Sequence, residues 1–239
     1  MSDCCILLPM RLQSRRLPEK LLLSLNGVNL ARRALETAKE TAELCDLDVL
    51  AAVADPTLIR EAQEAKVPVF ERSPESVTDT TDGSDRFAGW ADRLAAQNYK
   101  WVWYWNACFP LISPKTAAKL YGLFRDRPIR SVFSCTDSII VSVHGSISEM
   151  LPSGRINKAK EYFVPTHWGM IIPVTWLDRP TAEWFAPDSF DLCLYERSPE
   201  MLDINTMDDW RIIRAYARQF PTSCYQPILR QTTPPDDPC

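Results

Sequence analysis

The sequence has little of what many functional labels require. Two histidines, His144 and His167, are the whole supply, and none of the eight cysteines makes a CxxC pair. Neither a structural zinc site nor a disulfide framework is therefore expected. No apolar run approaches the roughly 20 residues that cross a bilayer. No cationic segment leads into an apolar one near the start, so no secretory signal is expected either. Unpaired cysteines and a missing signal point together to a reducing cytoplasm. The GxxxxGK[ST] pattern of a P-loop is also missing, which disfavours the usual NTPase reading.

What is present suits a globular enzyme. The 239 residues are 46% hydrophobic and 24% charged, enough for one large domain over 1–224 with a polar, proline-rich tail at 225–239. A net charge of −4 argues against nucleic acid or a membrane surface as partner.

Residues 4–9 form a short continuous apolar run, the pattern of a strand buried on both faces. The stretch 29–42 then places Leu30, Ala34, Leu35, Ala38 and Ala42 on one helical stripe. Strands at 48–54, 67–70 and 100–105 alternate with helices at 56–65, 84–97 and 114–126, which implies βαβ units and a parallel sheet. The aromatic run Trp101, Trp103, Tyr104, Trp105 reads as core packing on a strand.

Beyond that helix the rhythm changes. Residues 130–195 read as short strands ("RSVFSCT", "IIVSV", "EYFVP", "WGMIIP", "DLCLY"), taken as an antiparallel insertion at about 137–195. A last helix, 206–219, is capped by Thr206 with Asp209 in its first turn.

One loop stands out. Directly after the first strand, "MRLQSRRLPEK" carries Arg11, Arg15, Arg16 and Lys20 in eleven positions. In open α/β sheets ligands bind beyond the carboxyl ends of strands, and arginine forks with a lysine suit phosphate oxygens. By spacing alone, the same cations equally describe a solvated loop with weak surface pairs.

The sequence "LLPMRLQSRRLPEKLLLSLNGVNLARRALETA" resembles the N-terminal signature of the CMP-sugar synthetases, the cytidylyltransferases for acylneuraminate and 3-deoxy-manno-octulosonate. Three more stretches follow in order: "TTDGSDRFAGWADRL", "YWNACFPLISPKT" and "MLDINTMDDWRIIRAY". The resemblance implies a Rossmann-like nucleotidyltransferase fold: a mostly parallel sheet, helices on both faces, and a small antiparallel insertion reaching toward a second subunit of a homodimer.

It also implies the activity, transfer of CMP from CTP to a 3-deoxy-ulosonic sugar acid with release of pyrophosphate, as in lipopolysaccharide or capsule biosynthesis. The nucleotide would lie along Pro9, Met10, Arg11, Ser14, Arg15 and Lys20, with Ser84, Arg86 and Asn106 on its other side. Arg11 and Lys20 would be the catalytic pair, stabilising charge as pyrophosphate leaves. The acceptor would meet Asn106, Lys158, Lys160 and Asp203; as bare sequence, "SGRINKAK" also describes a solvated loop, and Arg86 a helix-face ion pair.

Mg²⁺ is the implied cofactor, on Asp203 and Asn205. Here the sequence departs from the family pattern. Cys108, Phe109 and Asn205 stand where relatives carry acidic residues, so a weakened metal site is expected. Three readings stay open: an active cytidylyltransferase, a binding protein that has lost catalysis, and a transferase for another nucleotide or acceptor.

Overall fold

Six residues without a charge, Cys4–Pro9, make a strand whose first five residues are buried. Alternation sends Cys4, Ile6 and Leu8 to one apolar cluster and Cys5 and Leu7 to another. A strand buried on both faces belongs in the middle of a sheet with helices on each side. The computed structural model, which describes residues 2–73, 76, 87–126, 131–137, 163–179, 190–195, 200, 202–219 and 229–230, places it there.

In chain order the strands are β1 (Cys4–Pro9), β2 (Ser24–Leu25), β3 (Val28–Asn29), β4 (Asp48–Val53), β5 (Val69–Glu71), β6 (Trp101–Trp105), β7 (Ser131–Asp137), β8 (Phe163–Pro173), β9 (Phe190–Tyr195) and β10 (Leu229–Arg230). The helices are α1 (Leu30–Cys45), α2 (Pro56–Glu64), α3 (Trp90–Ala95), α4 (Pro114–Asp126) and α5 (Met207–Gln219). Eight strands form one sheet in the order β10-β9-β7-β8-β6-β1-β4-β5, and β2 and β3 make a separate hairpin.

β1 pairs in parallel with β4 (Ile6 opposite Val49) and with β6 (Ile6 opposite Trp103), and β5 extends the parallel set. The expected α/β architecture is therefore present. β8 supplies the antiparallel element, running against both β6 and β7.

The strands read at 130–195 continue this sheet rather than standing beside it. β8 is interior, with Ile171 and Ile172 fully buried in opposite clusters. "EYFVP" and "WGMIIP", read as two strands, contribute to this single eleven-residue strand. Pro165 falls where the β7–β8 register shifts, the kind of position a residue without an N–H tolerates. "IIVSV" lies outside the described residues.

Local chemistry sets the helix starts. Asn29 Oδ1 accepts from the Arg32 N–H at 2.7 Å to open α1, and Asp55 Oδ1 accepts from Thr57 N–H at 2.8 Å before Pro56 opens α2. Ser113 Oγ accepts from Thr116 N–H at 3.2 Å at α4. At α5 the expected cap is reciprocal: Asp209 N–H donates to Thr206 Oγ1, and the Asp209 carboxylate accepts from Thr206 N–H at 2.7 Å. Of the helix expected at 84–97, the described part begins at Trp90.

Helices α1, α2, α4 and α5 cover one face of the sheet, α3 and the 3₁₀ turn Val174–Asp178 the other. Trp103 and Trp105 are fully buried under the first group, as the aromatic run suggested. Gly169 of β8 lies against them: a Cβ there would meet Trp103 Nε1 at 2.8 Å. Strand order reverses at β1, since the chain reaches β4 and β5 on one side and returns to β6 on the other. The crevice beyond the carboxyl ends of β1 and β6 is thus the topological switch point where such sheets bind ligands.

Candidate functional site

Two loops and one C-terminal segment meet at that switch point. The first loop leaves β1 at Pro9. Met10 is buried in the core and its N–H donates to Ala52 O at 3.0 Å, so its side chain anchors the loop. Leu17 is buried and Leu12 packs against the core, while the Glu19 N–H, in the left-handed region at φ 52°, closes onto Leu12 O at 3.2 Å. Between these anchors Ser14 is half-buried and Arg15 and Arg16 are exposed.

Two of the loop's cations are tied across 184 and 189 positions of chain. Lys20, half-buried, donates from Nζ to Ile204 O at 2.8 Å. Arg16 Nη2 donates to Asn205 Oδ1 at 2.5 Å, and Asn205 Nδ2 donates to Asp203 Oδ2 at 2.6 Å. The Asp209 carboxylate accepts the Asn205 N–H at 3.0 Å, so the cap of α5 also fixes this segment. Burial works against the Asp209 charge, but the N–H groups of Asn205 and Thr206 win and hold its carboxyl below the usual range.

The second loop follows β6. Asn106 N–H donates to Trp168 O at 2.9 Å, its Oδ1 accepts the Cys108 N–H at 3.0 Å, and Cys108 O accepts the Ile204 N–H at 3.0 Å. Phe109, Leu111 and Ile112 are buried. Arg33 of α1 clamps the loop from behind, Nε to Pro110 O at 2.6 Å. That clamp was not foreseen, because nothing in the sequence links an arginine on a helix to a carbonyl 77 residues later. The β2–β3 hairpin was also missed, although its Asn26-Gly27 turn, both residues at positive φ, is the strongest short hairpin signal.

The electrostatics are lopsided. Arg11, Arg15, Arg16 and Lys20 stand on one loop, and Asp203 of the C-terminal segment feels the charges of Lys20 and Arg16. Burial raises the Asp203 carboxyl above its usual range against the pull of Asn205, Lys20 and Arg16. Burial also raises the Cys108 thiol, with Lys20 and Arg11 drawing it down, which keeps it uncharged at neutral pH.

Side-chain ligands for a divalent cation are few here. Among the described residues no three His, Cys, Asp or Glu side chains gather as a metal cluster. Asp203 Oδ1 is nevertheless a buried oxygen with no hydrogen-bond partner among them. That donor fits one corner of a hydrated Mg²⁺ held chiefly by phosphate oxygens. Asn205 Oδ1 is already engaged by Arg16, and Phe109 faces the core. Of the other sequence candidates, Ser84, Arg86, Lys158 and Lys160 lie outside the described residues. No helix among the described residues is long and apolar enough to cross a membrane.

A family model described as cytidylyltransferase matches residues 5–141, more than half of the chain and all of both loops. No curated protein matches the sequence. Among solved structures, CMP:2-keto-3-deoxy-manno-octonic acid synthetase complexed with CTP is 16% identical, covers 91% of this chain and 99% of its own, and superposes with a TM-score of 0.67. A cytidylyltransferase from Leptospira borgpetersenii is 17% identical, with coverages of 92% and 88% and a TM-score of 0.60. The 4-diphosphocytidyl-2C-methyl-D-erythritol synthase from Anaerococcus prevotii is 12% identical, with coverages of 90% and 98% and a TM-score of 0.57. At these identities the likeness is one of fold.

Proposed function

The chain belongs to the cytidylyltransferase family, and from that premise we propose that it transfers CMP from CTP to a 3-deoxy-ulosonic sugar acid of the sialic-acid or octulosonate kind. The observation that carries this reading is the tie between the cationic loop and the segment 203–205, through Lys20 to Ile204 O and Arg16 to Asn205. It joins the first and last of the sequence motifs at the switch point.

In the reaction, the acceptor's anomeric hydroxyl attacks the α-phosphorus of CTP. A new O–P bond forms, the hydroxyl proton passes to water, the bond to the β-phosphate oxygen breaks, and pyrophosphate leaves with the negative charge. Arg11 and Lys20 neutralise that charge, with Ser14 and Arg15 holding phosphate oxygens. Asn106 and Asp203 face the acceptor side; the partners for its carboxylate, by the sequence resemblance alone, are Lys158 and Lys160. Asp203 would hold a Mg²⁺ ion carried in on the phosphates, which would supply further charge neutralisation there. Positioning and charge do the work, so the chain's scarcity of histidine is no handicap. A homodimer completes the acceptor side.

A second reading rests on Cys108 and Asn205, a neutral thiol and an amide bridging Arg16 to Asp203. In it the protein binds nucleotide and no longer turns over. The test is pyrophosphate release from CTP, UTP, GTP and ATP with a panel of sugar acids, beside thermal stabilisation by each nucleotide with and without Mg²⁺. CTP-selective stabilisation with release supports the transferase. Stabilisation without release for any acceptor supports the second reading, and no response to CTP overturns both.

A further inference from the structure

Away from the switch point, a solvent-open groove of about 240 Å³ lies between α5 and the β2–β3 hairpin, lined by Ser24, Leu25, Asn26, Gly27, Arg214 and Arg218. Leu25 is buried in the core, and the two arginines stand one helical turn apart on the same face of α5. Arg214 lies over the Trp210 ring at 5.8 Å. No carboxylate lines the groove.

Like charges at this spacing repel, so an unbalanced pair needs a reason. The helix dipole accounts for Arg218, which sits in the last turn, but its effect does not reach back to Arg214. The opposite wall is a two-residue turn at φ 53° and 85°, whose two central N–H groups take no part in the strand ladder. Two guanidinium forks, the Ser24 hydroxyl and the turn's backbone N–H groups thus offer several hydrogen-bond donors on one groove, and no carboxylate among its lining residues answers them. The volume falls below the roughly 300–1,000 Å³ of pockets for organic ligands, which suits a small oxyanion and is too small for a nucleotide.

We infer that this groove is an accessory binding site for a phosphate-class oxyanion, separate from the loop after β1. Its position gives it a consequence. The hairpin begins at Ser24, shortly after Lys20, and α5 begins at Met207, directly after Asn205. An anion between them fastens together the two segments that already meet through the Lys20 and Arg16 contacts.

Because the cationic loop also attracts pyrophosphate, the test starts from a protein in which all four of that loop's cations are neutral. Pyrophosphate is titrated calorimetrically into the full chain carrying Arg11→Ala, Arg15→Ala, Arg16→Ala and Lys20→Ala, then into the same chain with Arg214→Gln and Arg218→Gln added. Both arginines are exposed, and far-UV circular dichroism checks that the fold survives. The expected result is one bound pyrophosphate in the first protein, weakened about tenfold or more in the second, as for loss of charge-assisted bonds. No binding in the first protein, or equal binding in both, overturns the assignment. The outcome does not depend on whether the protein is a CMP-transferring enzyme.

Discussion

The loops after β1 and β6 lie side by side at the carboxyl edge of neighbouring strands, yet they are built by opposite means. The β1 loop presents side chains: a few apolar anchors, Met10, Leu12 and Leu17, hold a span whose remaining residues are mostly polar or charged. The β6 loop presents backbone: Phe109, Leu111 and Ile112 sink into the core, and Asn106 and Arg33 spend their hydrogen bonds shaping the main chain. A site that must cradle a triphosphate can keep its charges on one wall and its rigidity on the other. Changes in the first wall should therefore strike ligand binding, and changes in the second should strike stability.

The largest effect expected is on the rigid wall. Phe109→Ala removes a buried ring and should lower stability by about 3–5 kcal/mol, read from urea denaturation with an unchanged slope. Lys20→Ala should do the reverse, lowering stability by only about 0.5–1.5 kcal/mol for its lost bond to Ile204 O while CTP turnover falls about 10²–10³-fold, the usual loss for one donor to developing charge. Equal losses of CTP affinity in the two variants would erase the distinction between the loops.

A smaller effect probes the segment that bridges them. Asn205→Asp replaces an N–H donor, now 2.6 Å from Asp203 Oδ2, with a second carboxylate. Without metal this should cost about 1–3 kcal/mol, because a half-buried hydrogen bond becomes a repulsion. Saturating Mg²⁺ should return about 2.7 kcal/mol at a hundredfold excess over its dissociation constant, and wild type should respond less. A variant as stable as wild type in a chelating buffer, or deaf to Mg²⁺, would show that positions 203 and 205 do not form a cation site.

The contrast also decides what could be read from the sequence. The β1 strand, its cationic loop and the caps at Asn29, Asp55, Ser113 and Thr206 carry their signals within a few residues, since charge clusters and N-caps are local. The single sheet through β7–β9 was not legible, because strand order depends on pairings between distant segments and because Pro165 looks like a boundary until β8 is seen crossing it. Within the site, the cations were visible and their anchors were not: the Lys20 contact with Ile204 spans 184 positions and ends on a carbonyl, a group every residue has. Backbone acceptors leave no mark in composition.

Asn106 offers the finest cut, because it stands on both sides of the comparison. Its Oδ1 shapes the β6 loop through the Cys108 N–H, while the family resemblance gives it a ligand contact. Asn106→Ala loses both and should lower stability by about 0.5–1.5 kcal/mol. Asn106→Asp keeps an oxygen for the Cys108 N–H and replaces the amide donor with charge. If the residue only shapes the loop, the aspartate variant should match wild type in urea and bind CTP nearly as well. If its Nδ2 meets the ligand, stability should be kept while CTP affinity falls, since a carboxylate then faces the triphosphate. Paired urea and CTP titrations of the two variants separate scaffold from contact, and a loss of stability in the aspartate variant would mean that the loop's turn depends on more than its acceptor.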